Sequence, residues 1–270
     1  MQIAEAEPRT RFTPGPRSPL AERIVAHMVE RMAGAVVTDE PYQHFWVDRI
    51  FPDDVYGEIR RRLPQRDRYL PLNIKRWKNA AGQSTRDRLV LSEDEISRIA
   101  PEDQPFWVDV TTALMARELQ QAVYAKMIRD IAVRLGCSPH EVLDKPVWHS
   151  ILLVRDFEDY QLKPHPDGQP RVVTTMFYLP ADDSREDLGT SIYRRKPLMN
   201  RLFGDKFEET GRFPYLANSV GIFAVNDADS RVSWHGREVI EGDSVVRDSI
   251  ILAYLSKYAP EFGKKHNANY

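Results

Sequence analysis

The spacing of apolar positions along the chain changes character once, near Pro146. Before that point it is mainly helical. Leu20, Ile24, Val25, Met28, Val29 and Met32 recur at helical intervals and predict a helix over 19–33, closed by Gly34. A strand follows over 45–51. Pro52-Asp53-Asp54 then opens a second helix with acidic charge at its positive end and Val55, Ile59 and Leu63 as its apolar stripe. Ser92, with Glu95 three residues on, reads as a capping box for a short helix over 92–100. Val110, Leu114, Leu119, Val123, Met127, Ile131 and Val133 predict one long helix over 106–135, and Ser138-Pro139 starts another short one.

After Pro146 the pattern alternates and β-formers dominate. Strands are predicted over 148–157, 171–179, 191–193, 220–225, 232–235 and 246–255, separated by Gly, Asp, Asn and Pro. Helices first and strands afterwards predict a mainly β fold with flanking α-helices, a sandwich or jelly roll. Two stretches resist this scheme. Residues 65–90 scatter Arg66, Arg68, Lys75, Arg76, Trp77, Lys78, Arg86 and Arg88 among turn residues. They read either as a solvated loop or as a lid bringing Trp77 and basic groups to a substrate. Residues 181–217 read as a long charged loop, either solvated or lining a site for a carboxylate- or phosphate-bearing small molecule.

Composition narrows the class. The chain has 270 residues, 42% hydrophobic and 29% charged, with a formal net charge of −2. That is ordinary for a soluble globular protein and predicts no general nucleic-acid or membrane surface. Cys137 is the single cysteine, so no intramolecular disulfide can form. Residues 1–19 lack a signal-type apolar core, and a cytoplasmic location is expected. The expected organisation is one structural domain in four parts. These are a flexible arm over 1–18, a mostly helical support region with an entry strand over 19–145, a β core over 146–258 and a tail over 259–270.

The candidate chemistry lies in the β core. If His165 and Asp167 sit on one strand, they share a face and present a nitrogen and an oxygen to one point. His235, in Ser233-Trp234-His235-Gly236, offers the third ligand of a two-histidine, one-carboxylate facial triad with open positions, which suits non-haem Fe(II). Arg247 follows His235 by twelve residues and shares a strand face with Ser249. A guanidinium buried in a β core needs an acidic partner, and a small dicarboxylate would supply one.

This set, with Tyr160 to Asp167 and then Val173 to Pro180, resembles the Fe(II)/2-oxoglutarate-dependent dioxygenases, in particular bacterial hydroxylase-like members. The similarity spans roughly residues 40–257. It implies a double-stranded β-helix, the cupin-like form of the jelly roll. It also implies Fe(II) on His165, Asp167 and His235, with 2-oxoglutarate as cosubstrate. The far carboxylate of 2-oxoglutarate would lie on Arg247 and Ser249, with Tyr160 and Thr175 as further cosubstrate or substrate contacts. Molecular oxygen and a small-molecule or peptide substrate complete the implied partners. Related halogenases lack the ligand carboxylate, so Asp167 favours hydroxylation with release of succinate, with desaturation or ring chemistry as the alternatives. His149 and Arg155 are further candidates for the pocket face. Two other readings use the same pocket: a metal-dependent hydrolase, and a jelly-roll protein that binds a ligand without turnover.

Overall fold

The computed structural model describes residues 15–72, 77–197, 205–227, 231–242 and 245–257. Most of the expected arm and nearly all of the expected tail lie outside these residues, as do Lys75, Arg76 and Arg201.

The N-terminal half supplies an outer helical layer. Helix α1 spans Pro19–Ala33, with the Ser18 hydroxyl accepting from the Ala21 N–H and Pro19 in its first turn. Strand β1 (His44–Val47) follows and is shorter than the alternation predicted. Helix α2 (Asp53–Arg61) buries Val55 and Ile59. Helix α3 (Glu93–Ile96) starts at Ser92, whose hydroxyl accepts from the Glu95 N–H. The single helix expected over 106–135 is three: α4 (Gln104–Leu114), α5 (Arg117–Lys126) and α6 (Ile128–Leu135). The backbone is extended at Ala116 and leaves helical geometry again at Met127. No proline or glycine marks either break. The apolar period continues through both, because all three short helices bury their apolar residues in one core cluster. Helix α6 ends at Gly136, which takes the left-handed conformation with φ of 63° that a Cβ would strain.

Two antiparallel sheets carry the rest. Strands β2 (Leu70–Pro71), β3 (Arg86–Val90), β4 (Trp148–Phe157), β6 (Arg171–Tyr178), β9 (Ser219–Ala224) and β11 (Val246–Leu255) join β1 in a seven-stranded sheet, in the order β1-β9-β6-β11-β4-β3-β2. Strands β5 (Leu162–His165), β7 (Thr190–Arg195), β8 (Phe207–Phe213) and β10 (His235–Arg237) form the second sheet, in the order β5-β10-β7-β8. From β4 to β11 the chain passes repeatedly from one sheet to the other and back. That winding is the jelly roll, or double-stranded β-helix. The described residues of 65–90 are not simply a solvated loop, since β2 and β3 extend the larger sheet beyond β4. The stretch 181–217 is likewise not one loop. It holds β7 and β8, and Arg185 and Arg212 there pair with Asp187 and Glu209.

Four strands escaped the pattern: β2 is only two residues long, and the other three have physical reasons of their own. Strand β8 is an edge whose residues between Phe207 and Phe213 are mostly exposed, so it carries no apolar alternation. Strand β5 is the opposite edge and contains Pro164, which has no N–H to give a ladder. Strand β3 places arginines on its inner face. Strand β10 begins at His235, where 232–235 was expected, because Trp234 N–H turns back to the Val232 carbonyl.

The larger sheet separates two apolar layers. Val173, Phe177, Ile222, Ile250, Leu252, Leu153 and Leu89 face the helices. Met176, Tyr178 and Phe223 face the smaller sheet, with Ile192, Phe213 and Tyr215 opposite. One buried charge ties the layers together. Asp130 of α6 is fully buried and accepts from the Gln43 N–H at 2.7 Å and from Arg231 at 3.0 and 3.1 Å. Arg231 leads toward β10, so this carboxylate fixes both the entry of β1 and the approach to a site strand. Asp130→Ala leaves the buried Gln43 N–H unmet and takes one partner from half-buried Arg231, which keeps Glu40 and the Asp39 carbonyl, and should cost about 1–3 kcal/mol of unfolding free energy. Urea denaturation measures it; a loss below about 1 kcal/mol would mean the network is not a structural tie.

Candidate metal centre

His165 is the last residue of β5 and lies directly opposite His235, the first of β10, as an antiparallel cross-strand pair. Their ring centroids are 4.4 Å apart. Asp167 lies two residues past the end of β5, in the turn before β6, and not on the strand as the shared-face argument assumed. It reaches the same point because the turn is clamped. Arg171 donates to Asp167 Oδ1 at 2.6 Å, and the Thr174 hydroxyl donates to Oδ2 at 2.7 Å. One ligand atom from each of His165, Asp167 and His235 lies within 4.8 Å of the others. A carboxylate has about four lone-pair positions, so these two donors leave capacity for a cation.

Both imidazoles are oriented by backbone carbonyls two residues earlier. His165 Nδ1 lies 3.0 Å from the Lys163 carbonyl, and His235 Nδ1 lies 2.9 Å from the Ser233 carbonyl. A carbonyl only accepts, so each Nδ1 carries the proton and each Nε2 keeps its lone pair for the shared point. His235 Nε2 stands 3.7 Å from Asp167 Oδ2. Burial pushes the His165 imidazolium down to about 3, helped by the neighbouring His235, and burial lowers His235 as well. Burial works to raise Asp167, but the Arg171 guanidinium and the two imidazoles hold it well below the carboxylate range. Two neutral imidazoles and one ionised carboxylate are the protonation states that a metal needs.

The pocket beside this centre opens between the sheets. Arg247, Ser249 and Ile251 line it from β11, and Leu152 and Val154 from β4. Arg247 is buried and largely engaged. It donates to the Leu188 carbonyl at 2.7 Å, to Asp156 Oδ2 at 2.8 Å and to the Thr190 hydroxyl at 3.3 Å. The acidic partner that a buried arginine requires is therefore in the chain itself. Asp156 is fully buried and also takes both ends of the Arg86 fork. Ser249 is different. Its hydroxyl is buried, faces the pocket and has no partner among the described residues. Arg237 lies near Arg247, and burial together with that like charge lowers its pKa to about 10. The pocket is thus short of negative charge.

Tyr160 lines the pocket with the Arg86 guanidinium 4.1 Å over its ring, and Trp77 is buried 6.4 Å from it. Thr175 does not reach the pocket. It pairs with Leu252 in register, and strand alternation turns both toward the helices while Thr174 and Met176 face inward. His149 and Arg155 point the same outward way, His149 against Tyr254 and Arg155 paired with Asp248. Asp156, Arg171, Thr174 and Arg237 were missed in the sequence, whereas Trp77, Arg86 and Arg88, named there as groups that could meet a substrate, do line the pocket. Asp156 and Thr174 are visible in hindsight as polar residues at inward positions of apolar strands. Arg171 carries no such signal, because its role depends on the turn.

No family model matches the sequence, and no curated protein sequence matches it. Solved structures are similar at low identity. A Pseudomonas putida prolyl-4-hydroxylase is 13% identical over 87% of this chain and 100% of its own, with a TM-score of 0.47. An oxidoreductase of the 2OG-Fe(II) oxygenase family from Burkholderia pseudomallei is 11% identical over 93% and 96%, with a TM-score of 0.44. HygX from Streptomyces hygroscopicus, solved with nickel, 2-oxoglutarate and hygromycin B bound, is 12% identical over 78% and 82%, with a TM-score of 0.42. Likeness this distant carries no argument about activity, and the chemistry has to be read from this chain's own side chains.

Proposed function

We propose that the chain is an Fe(II)- and 2-oxoglutarate-dependent dioxygenase that hydroxylates a small-molecule or peptide substrate. The observation that carries this reading is the convergence of His165, Asp167 and His235, with both Nε2 lone pairs turned to one point beside a cation-rich pocket. Two imidazoles and a carboxylate on one side of a metal leave its other positions open, the donor set suited to non-haem iron. When bound, the metal and its cosubstrate supply the oxidation, with 2-oxoglutarate converted to succinate and molecular oxygen consumed.

The chain's own residues hold and orient. Arg171 and Thr174 fix the Asp167 carboxylate, and the Lys163 and Ser233 carbonyls fix the rings. Ser249, with its unmet hydroxyl, and Arg247, through the N–H groups it has left, receive the far carboxylate of the cosubstrate. Asp156 holds Arg247 in place and lessens its charge without removing it. Leu152, Val154 and Ile251 give the pocket apolar walls. A hydrolase at the same ligands would need a base beside the metal. Among the described residues the lining carboxylate is Asp167, which the metal would use.

Fe(II) and then 2-oxoglutarate added to the metal-free protein without oxygen should give the visible charge-transfer band of a chelated 2-oxo acid. His235→Ala and Asp167→Ala should abolish it. Ser249→Ala should weaken 2-oxoglutarate several-fold with no loss of stability, since it deletes a hydroxyl that has no partner among the described residues. Iron binding without a band would refute the reading.

Strand spacing gives a second expectation. A Cβ on Gly236 would stand 2.6 Å from the Leu162 carbonyl oxygen, so Gly236→Ala must push β5 from β10 and separate His165 from His235. Metal affinity should fall on the order of tenfold or more, as when ligand supports are lost elsewhere. Metal titration of the folded variant measures this, and unchanged affinity would show that the pairing does not set the ligand distance.

Proton release gives a third. At pH 6 an ordinary imidazole would give up roughly three-quarters of a proton on metal binding. His165 is already neutral there and burial lowers His235 as well, so metal uptake should release fewer protons than two ordinary imidazoles would. The sign for folding is opposite to that of a paired histidine. The unfolded chain takes protons below about 6.5 that the folded imidazoles refuse, so stability of the metal-free protein declines from there toward pH 3. Calorimetry in buffers of different ionisation enthalpy counts the protons; a count above one per metal would contradict the assignment.

A further inference from the structure

Arginines crowd the pocket, and all but one are answered within the chain. Arg86 and Arg247 share Asp156, Arg171 holds Asp167, and Arg237 donates to the Asp187 and Gly189 carbonyls at 2.8 and 2.9 Å. Arg88 also lines the pocket, from the inner face of β3, and among the described residues nothing partners it. We propose that Arg88 binds an anionic group of the substrate, whose apolar body lies along Leu72, Trp77, Leu152 and Ile251.

Placement separates this site from the cosubstrate's end of the pocket. Arg88 pairs with Val154, and Val154 pairs with Ser249 on its other side. Two strand spacings put the Arg88 and Ser249 backbones roughly 10 Å apart. Arg88 is half-buried, and burial without a counter-charge lowers its pKa. A guanidinium carries five N–H donors and no acceptor, so a carboxylate or phosphate arriving there gains charge-assisted hydrogen bonds without breaking an existing pair. Loading does not supply that anion, because the metal dication and the cosubstrate dianion offset each other. Leu72, Trp77, Leu152 and Ile251 give the pocket that Arg88 lines an apolar and aromatic surface. The substrate class is therefore an amphipathic acid, with an apolar body and one negative end. This rests on the oxygenase reading only for where the cosubstrate lies.

The test is calorimetric titration of the full chain, loaded with Fe(II) and 2-oxoglutarate without oxygen, using hexanoate, hexyl phosphate and uncharged hexanamide. At least one anion should bind, and hexanamide should bind at least about tenfold more weakly. The tighter of the two anions identifies the group as carboxylate or phosphate. Arg88→Gln should lose at least about tenfold for the anion, Arg88→Lys should recover part of it, and the 2-oxoglutarate band should be unchanged in both. Equal binding of anion and amide, no detectable binding of either anion, or full affinity in Arg88→Gln would overturn the proposal. The two readings fail separately. A missing band with Arg88-dependent anion binding refutes the oxygenase and keeps the anion site. A normal band without Arg88 dependence does the reverse.

Discussion

The cross-strand pairing of His165 with His235 is the contact on which the rest of the site depends. Two edge residues of short strands, distant in sequence, meet only if β5 and β10 lie at normal ladder spacing, and Gly236 is what permits it. The larger sheet serves this pair indirectly. Its inner face supplies Thr174 and Arg171, which hold Asp167 against the two rings, and its outer face buries the helices that keep it rigid. The Asp130 network carries that rigidity to Arg231, ahead of β10.

Much of this was legible in the sequence, for reasons that can be named. Strands β4, β6 and β11 are buried centrally in the larger sheet, and their apolar runs mark them with nearly correct ends. The three candidate ligands are uncommon side chains in a recurrent order, and the fold does bring them together. The two edges of the smaller sheet left no trace, because β8 is exposed and β5 carries a proline. The breaks at Ala116 and Met127 were invisible because packing, not propensity, makes them. Facing was the harder limit. Thr175 and Thr174 are adjacent and chemically alike, yet one touches the ligand carboxylate and the other the helical layer. Only the register decides between them.

Arg247 shows how a correct physical premise can leave an identity open. A buried guanidinium does need an acid, and Asp156 supplies one from the neighbouring strand. The need for an outside anion passes from that single residue to the pocket as a whole, where more guanidinium than carboxylate is gathered. Among the described residues, the unpartnered Ser249 hydroxyl and the unpaired Arg88 are the places where the excess is most plainly unmet.

Pro164 has an effect beyond ending a hydrogen-bond ladder. Strand β5 is an open edge of the smaller sheet and carries a metal-ligand candidate at its last position. An unguarded edge there would invite a strand from another chain to add on, twisting β5 and drawing His165 out of line. A residue with no N–H leaves that strand one donor short as a template for an added partner, beside the position where a small displacement would matter most.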